Sequence, residues 1–199
     1  MNNIPFYIEK FVYSKKGNIP DLNFVPANTR RKLNDFDKHV IYMLNSCADE
    51  DCENIILSSR YGEFRRLFQL LDKHKEFNES SPMMFSASVH NYVLGQFTML
   101  KKENIPTLAI SAGEESFING LVTAITSPQK NIVYCYADDN GDEIFGMCFK
   151  ISKTGTKENK YMLKYNKSGK NYDFIKAVEF FEGSMKEIVL NNYCIERVI

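Results

Sequence analysis

The sequence has no surplus of charge of either sign: lysine plus arginine and aspartate plus glutamate number 25 each. Such a balance creates no strong field for a nucleic acid or a membrane surface to answer. No stretch approaches the ~20 consecutive apolar residues of a membrane span, and the opening MNNIPFYIEKF lacks the apolar core of a secretory signal. A soluble, cytoplasmic protein is the expectation. Neither G-x-G-x-x-G nor a P-loop occurs, and Ser111 does not sit in a G-x-S-x-G elbow. Cys47, Cys52, Cys135, Cys148 and Cys194 are odd in number, and Cys47 and Cys52 have no second cysteine or histidine pair to complete a zinc set. Reduced thiols of a cytosolic protein fit this pattern. No metal or cofactor is expected.

What is present suits one globular domain: 199 residues, 44% of them apolar. The stretch 81–127 organises it as helix, turn, buried strand, tight turn, helix. Ser86 or Ser88 can cap the first helix, whose apolar side runs Val89, Tyr92, Val93, Phe97 and Leu100. Asn104-Ile105-Pro106 stops it. Thr107, Leu108, Ala109 and Ile110 form a strand. Ser111-Ala112-Gly113 turns into a second helix with Phe117, Leu121, Val122 and Ile125 inward. A strand that turns sharply into a helix is where α/β enzymes often hold a nucleophile or an anion. Here the corner carries Gly113, Glu114 and Glu115, and no cysteine.

Before that stretch, residues 6–13 read as a first strand and 15–26 as a loop. Asn28 caps a helix reaching Cys47, with Arg30, Arg31 and Lys32 in its first turn. Positive charge there opposes the helix dipole, so the turn is either a solvated basic turn or a contact for an anionic partner. Residues 54–59 are a strand, and the following helix has Phe64, Leu67, Phe68 and Leu71 as its apolar side. After it, strands at 131–137 and 144–151 are linked directly and therefore antiparallel. A lysine-rich hairpin near 150–170 lies at the sheet edge. Asp173 caps a last helix, and a strand near 187–190 ends the chain. The order suggests a mixed α/β sheet with helices on both faces.

Few side chains suggest chemistry. His39 and His74 read as structural or surface residues. His90, followed by Asn91, follows small polar residues, so it is either a base or a hydrogen-bonded brace. A triad would need a positioned serine and acid, which spacing alone does not establish. Glu114 and Glu115 suit the helix dipole and would hinder a nearby thiolate.

Taken in order, Arg30-Arg31, Ser59-Arg60-Tyr61-Gly62-Glu63, Ser81-Pro82, Phe85-Ser86-Ala87-Ser88-Val89-His90-Asn91, and Ser111-Ala112-Gly113-Glu114-Glu115-Ser116-Phe117 with Gly120-Leu121 carry a resemblance. They resemble the β-ketoacyl synthase-like, chain-length-factor-type proteins, short relatives of the N-terminal half of condensing enzymes in bacterial aryl polyene clusters. The similarity spans 26–138. It implies a thiolase-like half with a mixed five-stranded sheet and Thr107 to Ile110 at the sheet edge. In active condensing enzymes the turn after that strand holds the acylated cysteine, and Gly113 is the nearest match. The decarboxylating histidines, or histidine and lysine, come from a C-terminal half that this chain is too short to contain. The resemblance therefore implies a catalytically silent partner of a ketosynthase in fatty acid or aryl polyene-type biosynthesis. It would pair through Thr107, Leu108, Ala109 and Ile110 with the ketosynthase or a second copy, and could contact an acyl carrier protein. Two alternatives stand beside it: a self-associating binding module, and an acyl-processing enzyme using His90 with Ser86, Ser88 or Ser111.

Overall fold

The computed structural model describes residues 3–15, 17, 20–77, 81–170 and 173–198. Its elements in chain order are β1 (Ile4–Lys15), α1 (Ala27–Arg30), α2 (Asp35–Cys47), β2 (Asn54–Ser58), α3 (Phe64–Phe77), α4 (Pro82–Ser86), α5 (Tyr92–Lys101) and β3 (Thr107–Ile110). They continue with α6 (Ser116–Thr126), β4 (Asn131–Asp139), β5 (Ile144–Ser152), β6 (Lys160–Lys170), α7 (Phe174–Phe181) and β7 (Glu187–Arg197). The strands form a seven-stranded sheet in the order β3-β2-β4-β5-β1-β6-β7. β2 runs parallel to β3 and β4, and the remaining neighbours are antiparallel. The class is mixed α/β, as expected. The count rises from five strands to seven because β6 and β7, from the end of the chain, join the same sheet.

Strand alternation divides the core into two layers. Ile132, Tyr134 and Tyr136 of β4 point to α6 and α7, where they meet Phe117, Leu121, Phe180 and Phe181. Val133, Cys135 and Ala137 point to α2 and α5, where they meet Val40, Leu44, Val93 and Phe97. A strand covered on both faces has no side left for polar residues, which is why 131–137 is almost continuously apolar. Tyr134 buries its phenol between the layers: its hydroxyl donates to the Phe117 carbonyl at 2.5 Å and lies 2.8 Å from Ser58 Oγ, fastening α6 to β2. Among the described residues no helix is long and apolar enough to cross a membrane.

Several local expectations are corrected. The helix expected from Asn28 to Cys47 is two helices, because Asn34 makes a capping box with Asp37 that starts α2 afresh. Arg30 thus closes α1 and Arg31 and Lys32 follow it, at a carboxyl end where positive charge suits the dipole. Ser86 and Ser88 cap nothing: they donate to the Pro82 and Phe85 carbonyls, while Ser81 caps α4. The lysine-rich hairpin at an edge is replaced by a longer excursion. β1 lies between β5 and β6, so β6 is an inner strand whose Tyr161 and Leu163 are covered by α7. The edge belongs to β7, which is longer than the 187–190 segment. In the loop expected over 15–26, residues 16, 18 and 19 lie outside the described residues.

One polar cluster ties the β1–β5 pair to the loop before β2. Lys150 Nζ lies 2.7 Å from Asp51, 2.9 Å from Asp49 and 3.0 Å from Glu9, and Lys10 joins Asp49 at 2.9 Å. Burial alone would depress the Lys150 amine, but its bonds to Asp51, Asp49 and Glu9 outweigh this and raise its pKa. Burial would likewise raise Asp49, yet Asp51, Lys10 and Lys150 hold it well below the usual carboxylate range. A depressed folded pKa gives stability that is full above the ordinary value of 3.8 and is lost as pH falls below it. Lys150→Met should lower neutral-pH stability by about 1–2 kcal/mol. In chemical denaturation the deficit should shrink steadily below pH ~4.

Candidate active-site corner

The carboxyl ends of the parallel strands β2, β3 and β4 meet where open α/β sheets commonly hold their ligands. Asp138, at the end of β4, is buried there and accepts four hydrogen bonds. Its Oδ1 takes the Ser59 hydroxyl at 2.8 Å and the Arg60 and Tyr61 amides at 2.8 and 3.0 Å. Its Oδ2 takes the Tyr136 hydroxyl at 2.6 Å. Ser59 Oγ accepts the Gly62 amide at 2.6 Å, so the whole β2–α3 turn is wound on one carboxylate. Burial, and then the charge of Asp138, push the Tyr136 phenol far up, keeping it a donor.

The β3–α6 corner sits beside this turn. Gly113 adopts φ +58°, the left-handed region that glycine enters without strain, and opens a short 3-10 turn over Gly113–Glu115. Ser116 Oγ accepts the Ala112 amide at 2.9 Å and donates to the Gly113 carbonyl at 2.8 Å. Ser111 Oγ points to the Arg60 carbonyl at 3.4 Å. Glu114 faces the Arg60 guanidinium at 3.5 Å, and Glu115 accepts Asn191 Nδ2 from β7 at 3.1 Å. A cavity of about 490 Å³ lies over the corner, walled by Arg60, Gly113, Glu114, Glu115, Tyr136 and Asp138 among others. Both glutamates thus project toward positive or donor groups, and among the described residues no cysteine lines the cavity.

His90 stands on the other side of the turn. Its ring packs on Gly62, where an added Cβ would lie only 2.9 Å from Cδ2. Burial draws its pKa below 6.5, partly offset by Asp138, so the imidazole is neutral at physiological pH. His90, Ser88 and Ser111 line one cleft of about 230 Å³ with Phe64 and Leu67, which Ser86 does not reach. Among the described residues His90 Nε2 has no hydrogen-bond partner. Asn91 precedes α5 without a side-chain capping bond. Thr107, Leu108, Ala109 and Ile110 form β3 at the sheet edge, where among the described residues β2 is its one strand neighbour. Arg31 and Lys32 are exposed, and Arg30 is half-buried, away from both clefts.

Other polar residues stand apart. His39 Nδ1 lies 2.6 Å from Ser14 Oγ in the interior. Glu187, Cys194 and Glu196 converge on β7, where Glu196 pairs with Lys164 and burial raises the Cys194 thiol. Asp138 itself was hidden in the turn-like run Asp138-Asp139-Asn140-Gly141-Asp142. Its one sequence signal was an acid closing an apolar strand.

The N-terminal domain of the β-ketoacyl synthases matches this sequence over residues 9–156. The chain belongs to that family. The match takes in the Asp138 turn, the β3–α6 corner and both helical layers up to α6, and leaves β6, α7 and β7 outside it. No curated protein matches the sequence. Among solved structures, the chain is similar to one from the complex of the ketosynthase ApeO with its chain length factor ApeC from Xenorhabdus doucetiae. The TM-score is 0.68 at 18% identity, with 87% of this chain and 82% of that one covered. The ishigamide ketosynthase/chain length factor gives 0.55 at 11% identity, over 69% of this chain and 48% of that one. A β-ketoacyl synthase from Burkholderia phymatum gives 0.54 at 7% identity, over 77% and 52%. The chain thus spans about half the length of the latter two. As a member of this family the chain carries Gly113, Glu114 and Glu115 at its β3–α6 corner.

Removing Asp138 leaves two backbone amides and two hydroxyls without their acceptor in the interior. Asp138→Ala should therefore cost about 3–5 kcal/mol. Denaturant unfolding, with amide exchange at Arg60, Tyr61 and Gly62 as a local readout, measures it.

Proposed function

We propose that this protein acts in the cytoplasm as a catalytically silent, chain-length-factor-like partner of a ketosynthase, in fatty acid or aryl polyene-type biosynthesis. The observation that carries this reading is an uncovered strand edge beside an uncovered apolar helix face. β2 donates from Ile55 to the Pro106 carbonyl and from Ser59 to the Ile110 carbonyl. Strand alternation then turns the N–H and C=O groups of Thr107 and Ala109 away from β2, toward open solvent. No lysine or proline guards this edge. Leu108 is 43% exposed on it.

The adjoining α3 has its amphipathicity inverted. Phe68 and Leu71, on the side a lone domain would bury, are 48% and 52% exposed, whereas Arg66 is buried. Met83 and Phe85 of α4 extend the same surface at 71% and 63% exposure. The cleft shared by Phe64, Leu67, His90 and Ser111 joins α3 to the end of β3. A contiguous apolar patch of this kind marks a protein interface. A ketosynthase partner is supported by the sequence match to the β-ketoacyl synthase family and by the fold likeness to a chain from a ketosynthase–chain length factor complex. Two copies of this chain could use the same surface, and an acidic acyl carrier protein could meet Arg30, Arg31 and Lys32.

Silence follows from the corner. Gly113 replaces a nucleophile, and Glu114 and Glu115 oppose any thiolate at that helix start. His90 reads as a brace packed on Gly62, with Ser86 and Ser88 both donating to backbone carbonyls instead of to it. Intact-mass measurement after incubation with acyl-carrier thioesters should show no covalent adduct. An acylated residue would sink the silent reading.

The association itself is tested by Leu108→Lys and Ala109→Pro. The first places a charge in the interface, and the second removes an outward N–H without touching the β2 ladder. Light scattering with size exclusion, alone and with the candidate ketosynthase, should show each variant folded but at least about 100-fold weaker in assembly. Parent-like assembly by both would place the interface elsewhere, and loss of a homodimer alone would favour self-association.

A further inference from the structure

Beneath the apolar face of α3 lies a buried polar cluster that the corner does not use. It contains one cation and two carboxylates. Asp37 of α2 and Glu63, just before α3, have side chains 0% and 1% exposed, and Arg66 is 9% exposed. Every available donor approaches the same edge of each acid. Asp37 Oδ2 accepts Arg66 Nη2 at 2.7 Å and the Asn34 amide at 3.1 Å. Glu63 Oε2 accepts Asn34 Nδ2 at 2.8 Å, with Arg66 Nη1 at 3.5 Å. Arg66 Nη1 is engaged by the Ala87 carbonyl at 2.7 Å, and its guanidinium lies 4.9 Å from the Tyr92 ring of α5. Among the described residues Asp37 Oδ1 and Glu63 Oε1 are left buried with no donor.

Two ionised acids that share Arg66 and Asn34 as partners cannot each leave a lone pair dry in the interior, because each such acceptor forfeits its hydration without replacement. A single proton resolves both. We propose that Glu63 is a neutral carboxylic acid in the folded protein, donating from Oε1 to Asp37 Oδ1, and that this bond latches α3 onto α2. The cluster then holds one cation, one anion and one acid, with every oxygen engaged.

The groups that face Glu63 are Asp37 and Asn34 from the α2 side, Arg66 on α3, and Arg60 and His90, which line one cleft with it; the Ala87 carbonyl and Tyr92 on α5 meet the Arg66 guanidinium. Burial first, and Asp37 second, push the Glu63 carboxyl up to about 9, while Arg66 and Asn34 partly oppose them. Burial also raises the Tyr92 phenol, so it stays neutral across the same range. The sign follows. Between the ordinary carboxyl value of 4.5 and about 9 the folded chain holds a proton that the unfolded chain has released, so stability falls as pH rises through that window. Because α3 carries the apolar face assigned above to a ketosynthase, the latch would also fix the stance of that face. That consequence rests on the partner reading, whereas the latch itself does not.

The test uses the isolated full-length chain, so its failure leaves the partner reading untouched. Glu63→Gln keeps the shape and can donate permanently from its amide to Asp37. At pH 7 the parent should show a protonated-carboxyl C=O band in its infrared spectrum that Glu63→Gln lacks. The ratio of the folding constants, variant over parent, should rise with pH by up to about tenfold per unit between about 4.5 and 9, and level off above. Asp37→Asn, whose amide can donate to an ionised Glu63, should also lose the band while remaining folded. A band unaffected by either change, or a ratio independent of pH, would overturn the latch. So would a Glu63→Gln chain that fails to fold, because the amide preserves every hydrogen bond assigned here.

Discussion

The carboxylate of Asp138 is the point on which the local architecture turns. It closes a parallel strand, yet its Oδ1 is committed to the neighbouring strand's turn, so β2 cannot leave β4 without unpairing three donors, while Tyr136 of β4 itself holds Oδ2. Fixing Ser59 to Gly62 in this way sets the start of α3, the seat of His90 and the wall of the β3–α6 corner. A buried anion is tolerated because hydrogen bonds replace its lost hydration, and in a low dielectric such bonds are strong. The same feature that gives this corner its rigidity keeps it polar and closed.

α3 shows how an amphipathic pattern can mislead. Its i, i+3, i+4, i+7 stripe of Phe64, Leu67, Phe68 and Leu71 would bury itself in an isolated domain. In this fold the inward side is claimed by Arg66 and Leu70, since Asp37, Glu63 and the Ala87 carbonyl already offer a site that only a guanidinium fills. The apolar stripe is left outward, with α4 beside it. A hydrophobic helix face facing water is costly for a monomer and useful for an assembly.

The end of the chain plays a different part. α6 is apolar on nearly every side, and its single exposed position is Thr126. A helix of that kind needs cover beyond one sheet. α7 and β7 supply it, the former through Phe180 and Phe181 in the common core, the latter through Asn191 reaching Glu115. These elements fall outside the span matched by the ketosynthase family, so the cover for α6 is built from this chain's own C-terminal segment.

Much of this was legible in the residues alone. Local apolar runs and periodicities are short-range facts, so β2, β3, β4, β5, α6 and α7 fell close to where their patterns placed them, and the ordered motifs from Arg30 to Leu121 pointed to the family. Helix starts were less legible, because Asn28 and Asn34 are equally good caps until Asp37 closes the box around one of them. β6 was misplaced at an edge because pairing across β1 is a long-range choice that lysine content does not encode. Asp138, Glu63 and Asp37 looked like ordinary acids in turns and helix starts, for burial and hydrogen-bond partners arise only when segments 29 to 79 residues apart are brought together. The sequence by itself determined the class, the family and the absence of a cysteine at the corner. The tertiary structure alone decided which acids are buried, which face of α3 meets solvent and which edge of β3 stays open, since each depends on what packs against it and not on the residue's own preference.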